Sequence, residues 1–505
     1  MWPKFHKEDF KIIFHYLGVL VLGTGAAMLV PLLTAVFMGE WKPFADFVFG
    51  IAICLIIGSI FANFEPSPER LNSRQALMVT GLSYGVIAFV ASIPLSLSGH
   101  FDTYLDALFD AMSGLTTTGL SLVQDLDHLS YSHNMWRFVT HIIGGQGVVV
   151  IALSLGMFGK SSLSTLMRAE TRTDQIAPNV MRTTRSIMII AFLITILAAF
   201  FFIISNLLIG IEPVRAFFDG LWMALTTYNT GGFASHMTNV VYYHSYLIEL
   251  IAMVFMVLGV VSFALYAYVW RGNRGELFRN METRLLVGWL TLVSIIFTVS
   301  LAGGTLYTTI LETLRMSVFT VISAATSCGL QLISPNQMCI AIPSGALVLI
   351  ILTMAIGTCS GSTAGGIKLF RIGIIFKSIK QSIKQQLSPT SAKVSTTYYH
   401  MGKQILTEET VKNTLVVFNL FMLTFIVLIL AFIAAGFTAQ DGVFAAISLI
   451  ANGGMDIGVF TPELPGIIKI IGIIAMWAGR LEILTLLTCF AGLIVSIPRR
   501  RRQRD

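Results

Sequence analysis

The sequence predicts an all-α polytopic membrane protein with about ten spans. Of its 505 residues, 55% are hydrophobic and only 12% are charged, and the mean hydropathy is +0.79. In an ordinary soluble domain about a quarter of the residues are charged. Apolar runs of about 20 residues, which cross a hydrocarbon core as a helix, recur along the whole chain. A single water-soluble core is therefore excluded.

The apolar runs define the predicted spans. They cover residues 11–38, 44–63, 76–98, 136–158, 186–210, 243–270, 284–302, 343–380, 413–436 and 466–497. The first two form an N-terminal two-helix hairpin within residues 1–70. The segment before them carries charges of both signs and lacks a small-residue cleavage site, so we interpret it as leading into a retained span and not as a signal peptide.

The distribution of Lys and Arg predicts the orientation. The net charge of +7 indicates contact with a membrane surface and not with nucleic acid, because the basic residues lie between hydrophobic spans. If the N-terminus is cytoplasmic, nearly all of these residues fall on the inner side. The exceptions are Lys42, Arg137, Arg215, Arg315 and Lys469 outside, and Arg480 within a span. Both termini are therefore predicted to be cytoplasmic.

Four segments on the predicted outer side share one pattern. Each has an apolar stretch too short to cross a bilayer, followed by a turn in which a small polar residue, any residue and Gly succeed one another. The turns lie within residues 115–120, 227–232, 325–330 and 450–455. This predicts four pseudo-symmetric helix, pore-loop, helix repeats around one ion pore, at residues 71–175, 176–280, 281–400 and 401–505.

Such turns suit a path for a cation. A hard cation must exchange its water shell for oxygens without meeting a full countercharge that would trap it, and backbone carbonyls meet that need. Glycine lets successive carbonyls point towards one axis and leaves no side chain in the way. The alternative is that small residues merely allow close helix packing. Four turns in the same place relative to two spans favour the cation path.

Three further stretches accompany the turns. They are Trp136-Arg137 with the glycine-rich residues 143–148, the segment from Gly361 to Lys368, and residues 478–482 around Arg480. Together with the turns they resemble the TrkH branch of the Trk/Ktr/HKT potassium transporter superfamily, over essentially the whole chain. The resemblance implies a single-file cation pore built from four repeats in one chain. The N-terminal hairpin fits the TrkH branch better than the shorter Ktr type.

The resemblance also implies a selectivity filter that binds potassium, the transported ion. Its expected residues are Thr117, Thr118, Gly119, Asn229, Thr230, Gly231, Ser327, Cys328, Gly329, Asn452, Gly453 and Gly454. In plant HKT relatives a Ser at the first glycine position goes with sodium selectivity, so Gly119 favours potassium.

A gate is expected at residues 357–366, which interrupt an apolar span with Gly357, Gly361, Gly365 and Gly366. A run so rich in glycine and small polar residues is a poor helix. Composition alone allows a cytoplasmic turn between two helices, whereas the resemblance favours an intramembrane gating loop beneath the filter.

Arg480 is expected near the middle of the membrane, where it must face protein or water. One interpretation is a structural ion pair with another repeat. The other is a positive charge beside the pore that meets carbonyls of residues 357–366 and contributes to gating.

Two further groups of residues have simpler interpretations. Gly144, Gly145 and Gly147 are expected to form a packing face. Five acidic residues surround the first outer turn, where they either concentrate cations or only serve as helix N-terminal and loop-solvating residues. They are Asp102, Asp106, Asp110, Asp125 and Asp127.

The function that we expect is potassium uptake across a bacterial inner membrane, with coupling to protons or sodium left open. The resemblance implies a homodimer that works with a cytosolic TrkA-type nucleotide-binding protein, and the chain itself has no nucleotide fingerprint. The basic inner segments 159–185 and 368–412 offer surfaces for that partner. The alternatives are a proton- or sodium-coupled transporter of another solute and the sodium-dependent Ktr type. No H-E-x-x-H or comparable motif predicts an enzyme, and no organic cofactor is expected.

Overall fold

A computed structural model describes residues 5–64, 72–147, 180–270, 272–302, 309–389 and 394–496. The described part is mainly helical, which confirms the predicted fold class. The N-terminal helices are α1 (Lys7–Ala27), α2 (Leu29–Met38) and α3 (Trp41–Ala62). Helices α1 and α3 lie so close that a Cβ on Gly18 would come within 2.7 Å of the Gly58 carbonyl oxygen. This close approach at small residues builds the expected hairpin.

The next helices follow the order helix, short helix, turn, helix. They are α4 (Ser73–Leu97), α5 (Tyr104–Leu115) and α6 (Tyr131–Gly145). After a gap come α7 (Val180–Leu208), α8 (Pro213–Tyr228), a 3-10 turn (Asn239–Tyr243), α9 (Tyr246–Gly259), α10 (Phe263–Trp270) and α11 (Gly275–Arg279).

The second half of the chain repeats this order. It contains α12 (Met281–Ala302), α13 (Ile310–Ala325), α14 (Pro335–Ala341), α15 (Ser344–Ala355) and α16 (Leu369–Leu387). A small antiparallel hairpin, β1 (Thr397–Tyr399) and β2 (Lys403–Ile405), pairs Tyr398 with Gln404. The last helices are α17 (Glu408–Ala434), α18 (Ala439–Ile450), α19 (Gly466–Leu481) and α20 (Ile483–Ser496).

The short helices α5, α8, α13 and α18 begin with local signals. The side chains of Thr103, Thr309 and Thr438 each accept a hydrogen bond from the amide three residues on, where an acidic residue stands. This satisfies an amide that the first helical turn leaves free and places a negative charge at the positive end of the helix. Helix α8 begins instead with Pro213, whose fixed φ suits the first helical position.

The number of spans stays a prediction. Within the described ranges, six helical segments are long and apolar enough to cross a membrane, or seven if the pair α19 and α20, bent by 111°, is one span. The predicted spans at 243–270 and 343–380 are each divided into two helices. The span at 136–158 lies partly outside the described residues. The repeat boundaries also stay predictions.

Candidate ion path

The four turns after the short helices share one backbone conformation. The first residue of each turn has a left-handed φ of 50° to 54°, at Thr117, Thr230, Ser327 and Asn452. Two residues later stands a glycine with φ between 70° and 89°, at Gly119, Gly232, Gly329 and Gly454. The amide between them donates to the carbonyl five residues back, as Thr118 does to Ser113 at 2.8 Å. This bond is the usual way in which a left-handed residue ends a helix.

The second turn therefore spans residues 230–232 and not the predicted 229–231. Asn229 stands one position earlier, and its side-chain oxygen accepts a hydrogen bond from Gln146 at 3.0 Å. The sequence pattern of small polar residue, any residue and Gly fits both registers here, because Gly231 and Gly232 are consecutive. The backbone of the other three turns follows the predicted registers 117–119, 327–329 and 452–454.

The four turns meet in a ring. A Cβ on Gly119 would lie 2.8 Å from the carbonyl oxygen of Gly231, and one on Gly329 would lie 2.9 Å from that of Gly453. A Cβ on Gly232 would lie even closer to the carbonyl oxygen of Cys328, and a Cβ on Gly454 even closer to that of Thr118. These two contacts close the ring. No side chain fits at these four glycines.

The ring brings four equivalent carbonyl oxygens together, those of Thr118, Gly231, Cys328 and Gly453. Each approaches the glycine of a neighbouring turn. None of the four turns carries an acidic side chain. Neutral oxygens in this number can replace the water around a hard monovalent cation without holding it too tightly.

Residues 357–366 fold back against these turns. The segment is closed at its base, where the Gly357 amide donates to the Ile367 carbonyl at 2.8 Å. At its tip, the hydroxyl of Thr363 lies 2.9 Å from that of Thr230 and donates to the Gly259 carbonyl at 3.0 Å. A Cβ on Gly365 would lie 2.9 Å from the side-chain oxygen of Asn452. The segment is therefore packed on the turns and is not a free connection between two helices.

Glycine serves two purposes in this segment. Gly361 and Gly366 have φ values of 69° and 72°, a conformation that favours glycine. Gly357 and Gly366 lie so close that a Cβ on Gly357 would approach the Gly366 Cα at 3.1 Å. These positions explain the glycine content that marked the segment in the sequence.

Arg480 joins three elements. Its guanidinium donates to the Thr363 carbonyl, to the Thr117 hydroxyl at 3.3 Å and to the carbonyls of Gly144 and Gly145, the latter at 3.1 Å. The two glycine carbonyls end helix α6, where the helix dipole favours a cation. No ion pair to Arg480 occurs among the described residues. This geometry agrees with the expected contact with the loop and not with a structural ion pair.

A cavity of about 830 Å³ lies beside the loop. Its lining includes Ser362, Lys368, Arg371, His400, Arg480 and Glu482. Arg371 pairs with Glu482 at 2.6 Å.

Three ion pairs that each contain a buried carboxylate were not anticipated from the sequence. Asp110 pairs with Arg137 at 3.0 Å, Asp106 pairs with Lys469, and Glu249 pairs with Arg315. Asp106 and Asp110 are fully buried, so they neither concentrate cations at the loop nor solvate it. Asp106 stands in the first turn of α5, where its carboxylate accepts a hydrogen bond from the Thr103 amide, as the interpretation of a helix N-terminal residue expects. No local pattern reveals the Asp106–Lys469 or Glu249–Arg315 pairs, because their partners stand far apart in the chain.

A set of hydroxyl residues was also missed. Each lies six residues before the glycine of its turn: Ser113, Thr226, Ser323 and Ser448. The hydroxyl of Ser323 donates to the Leu330 carbonyl, and that of Ser448 donates to the Met455 carbonyl, both at 2.7 Å. The sequence contains this signal, a hydroxyl residue six positions before each turn glycine. The spacing is constant only when the second turn is given the register 230–232, so the predicted register 229–231 hides it.

The profile of the TrkH family, described as cation transport protein, matches residues 44–496. That match covers most of the chain. The chain belongs to the TrkH family of cation transport proteins. Membership of the TrkH family agrees with the expectation of a multi-pass membrane transporter and not of an enzyme.

Similar proteins match this chain over almost its full length. An uncharacterized cation transporter of Methanocaldococcus jannaschii is 32% identical, covering 96% of each chain. The Trk system potassium uptake proteins TrkH of Halomonas elongata and Escherichia coli K12 are each 28% identical, covering 95% of this chain and 98% of theirs. The crystal structure of the potassium transporter TrkH from Vibrio parahaemolyticus matches with a TM-score of 0.81 at 24% identity, over 95% of this chain and 98% of that one. This last likeness shows the fold.

Proposed function

We propose that this protein carries potassium ions into the bacterial cell across the inner membrane, through a filter formed by residues 117–119, 230–232, 327–329 and 452–454. The observation that carries the proposal is the ring of carbonyl oxygens at four glycines that exclude any side chain. The names of the relatives from Halomonas elongata and Escherichia coli, potassium uptake proteins, support the choice of ion.

Potassium fits this ring better than sodium on physical grounds. Sodium is smaller and holds its water more strongly, so it needs shorter and stronger oxygen contacts than neutral carbonyls at a fixed spacing supply. Packing of each glycine against the carbonyl of the next turn limits how far the spacing of the oxygens can change. Potassium loses less on leaving water and gains enough from the carbonyls to pass.

Residues 357–366 act as the gate, and Arg480 holds them in place. The loop contacts the first residue of two turns, Thr117 and Thr230, and Arg480 bonds both the loop and Thr117. In this arrangement the loop blocks the path next to the filter, and a guanidinium stands close to any ion that enters. Opening requires the loop to leave the turns.

The transporter is a homodimer with both termini in the cytoplasm and is regulated by a cytosolic TrkA-type nucleotide-binding protein. The basic helix α16, with Lys377, Lys380 and Lys384, and the hairpin of β1 and β2 offer a surface for this partner. The other basic segment that we assigned to the partner, residues 159–185, lies mainly outside the described residues.

The alternative of a proton- or sodium-coupled transporter of another solute requires ionisable groups exposed to a central site. Three of the buried carboxylates, Asp106, Asp110 and Glu249, are instead joined to basic residues. These pairs tie the short helices to neighbouring helices, so they serve structure and not a solute site.

Rubidium and sodium fluxes into liposomes that contain the purified protein test the proposal. We expect rubidium, which substitutes for potassium, to enter at least about tenfold faster than sodium, which is a difference of roughly 1.4 kcal/mol in the barrier. Gly119→Ser should lower this ratio, because the new side chain would collide with Gly232. Equal entry of both ions into liposomes with the wild-type protein would contradict the proposal.

A further inference from the structure

The four turns differ in the hydrogen bonds made to the residue directly after each turn glycine. In the third and fourth turns, the hydroxyls of Ser323 and Ser448 donate to the carbonyls of Leu330 and Met455, the residues directly after Gly329 and Gly454. Both donors are fully buried and lie in the last two turns of a short helix. Each bond therefore ties the chain leaving the turn back to the helix that enters it.

The equivalent residues in the first two turns are Ser113 and Thr226. Within the described residues, their hydroxyls have no hydrogen-bond partner, although both side chains are fully buried. The carbonyls of Leu120 and Phe233, which correspond to those of Leu330 and Met455, receive no such bond from them. The same position thus carries a hydroxyl in all four turns, but only two of these hydroxyls are used.

A bond at this place anchors the second peptide group after the glycine, the one that contains the Leu330 or Met455 carbonyl. Glycine has no side chain to limit its rotation, so its neighbouring peptide planes turn easily unless something holds them. The hydroxyl anchors the chain two peptide groups after the ring carbonyl, and the short helix anchors it before the turn, so the two peptide groups on either side of the glycine have less room to rotate. In the third and fourth turns the peptide group before the glycine carries the carbonyl of Cys328 or Gly453, and both carbonyls are members of the ring.

We propose that Ser323 and Ser448 are positioning residues that set ion selectivity by fixing the backbone of the third and fourth turns. This inference rests on the proposed function of the four turns as a filter. The first and second turns do not depend on this bond, so half of the ring is stiffened by hydroxyls and half is not. The smaller ion gains when the ring can contract, and the two hydroxyls prevent that contraction.

The chain offers a matched control for this proposal. Ser448→Ala and Ser113→Ala delete the same atom from equivalent, fully buried positions, but only the first removes a hydrogen bond. Ser448→Thr keeps the hydroxyl and adds a methyl group, which the chain already carries at the equivalent Thr226. Ser323→Ala repeats the test in the third turn.

The experiment measures the ratio of rubidium to sodium entry in liposomes, together with the thermal unfolding of each variant in detergent. We expect Ser448→Ala and Ser323→Ala to lower the ratio by about threefold to tenfold, the size of one lost hydrogen bond. Ser448→Thr and Ser113→Ala should keep the wild-type ratio. Because a purely structural role would change the unfolding temperature and leave the ratio unchanged, the ratio is the decisive readout.

Three results would overturn the inference. One is a wild-type ratio in both Ser448→Ala and Ser323→Ala. Another is an equal fall in Ser113→Ala, which would assign the effect to the loss of any buried hydroxyl. A third is failure of Ser448→Thr to restore the ratio. A wild-type protein that does not distinguish rubidium from sodium would refute the proposed function itself, and that measurement precedes all the variants.

Discussion

Single residues decide how closely the four turns can approach one another. At Gly232 and Gly454 a Cβ would overlap the carbonyl oxygen of a neighbouring turn, and the backbone at both glycines has a positive φ. Two independent reasons, space and backbone conformation, therefore require glycine there. At Gly231 the φ is ordinary, and a Cβ would meet the imidazole ring of His141 instead.

Serine substitutions at Gly232 and at Asn229 test the register of the second turn. Gly232→Ser should lower rubidium flux at least about tenfold, because the substitution combines a clash with a strained backbone. Asn229→Ser removes the bond to Gln146 and should cost about 1 kcal/mol of stability, while the ratio of rubidium to sodium entry is kept. The measurements are flux in liposomes and thermal unfolding. A fall in rubidium flux in Asn229→Ser as large as in Gly232→Ser would favour the register 229–231.

Arg480 permits a test of charge against hydrogen bonding. A guanidinium repels a cation in a low-dielectric path far more than in water, so Arg480→Ala and Arg480→Gln should both raise basal rubidium uptake, on the order of tenfold. Arg480→Lys should remain slow, although its ammonium cannot reproduce the planar set of donors. The three variants are compared at equal protein density in liposomes. If both neutral variants show wild-type uptake, Arg480 does not restrain permeation.

Among the structural elements, the segment between α15 and α16 shows what sequence patterns reveal and what they omit. Its glycines marked residues 357–366 as irregular, and hydropathy placed long helices such as α4 and α12 to within a few residues. The contact between Thr363 and Thr230 was not predictable, because the two residues are 133 positions apart and no local preference records such a pairing. The bend after α19 was equally hidden, since Glu482 adopts a left-handed φ of 63° without glycine.

Thr363→Val tests whether the loop acts as a gate. The variant keeps the shape of the side chain but removes its hydrogen bonds to Thr230 and to the Gly259 carbonyl. We expect basal rubidium flux without any partner protein to rise by about threefold to tenfold. Thr358→Val is the control, because the Thr358 hydroxyl bonds Ser362 within the loop at 2.9 Å. An equal rise in both variants would show that loosening within the loop, and not its contact with the turns, controls flux.

In the molecule as a whole, polar contacts join the helices and turns that surround the ring. Lys469 in α19 reaches Asp106 in α5, and Arg315 in α13 reaches Glu249 in α9. The side chain of Gln331 bonds the backbone of Asp456, with its amide 2.9 Å from the carbonyl. These contacts join helices and turns from different parts of the chain, so the geometry of the ring depends on the complete fold.

Breaking one of these ion pairs should destabilise the protein. Asp106→Asn leaves Lys469 buried without a countercharge, which costs about 3 kcal/mol or more. Glu8→Gln, which breaks the exposed pair with Lys11, should cost no more than about 1 kcal/mol. Thermal unfolding in detergent measures both, and removing Asp106 and Lys469 together should recover part of the loss. Equal stability of Asp106→Asn and wild type would show that the pair does not hold the ring.

The guanidinium of Arg480 bonds the Thr117 hydroxyl and the Thr363 carbonyl at once, so the first turn and the loop are linked in the thermodynamic sense. Binding affinities obey reciprocity: if an ion in the ring changes the free energy of loop release, loop release changes the affinity for that ion by the same factor. External potassium would then act as an effector of its own gate. If high potassium makes the loop open more easily, the ring must bind potassium more tightly when the loop is open than when it is closed. If high potassium makes the loop open less easily, the ring must bind potassium more weakly when the loop is open.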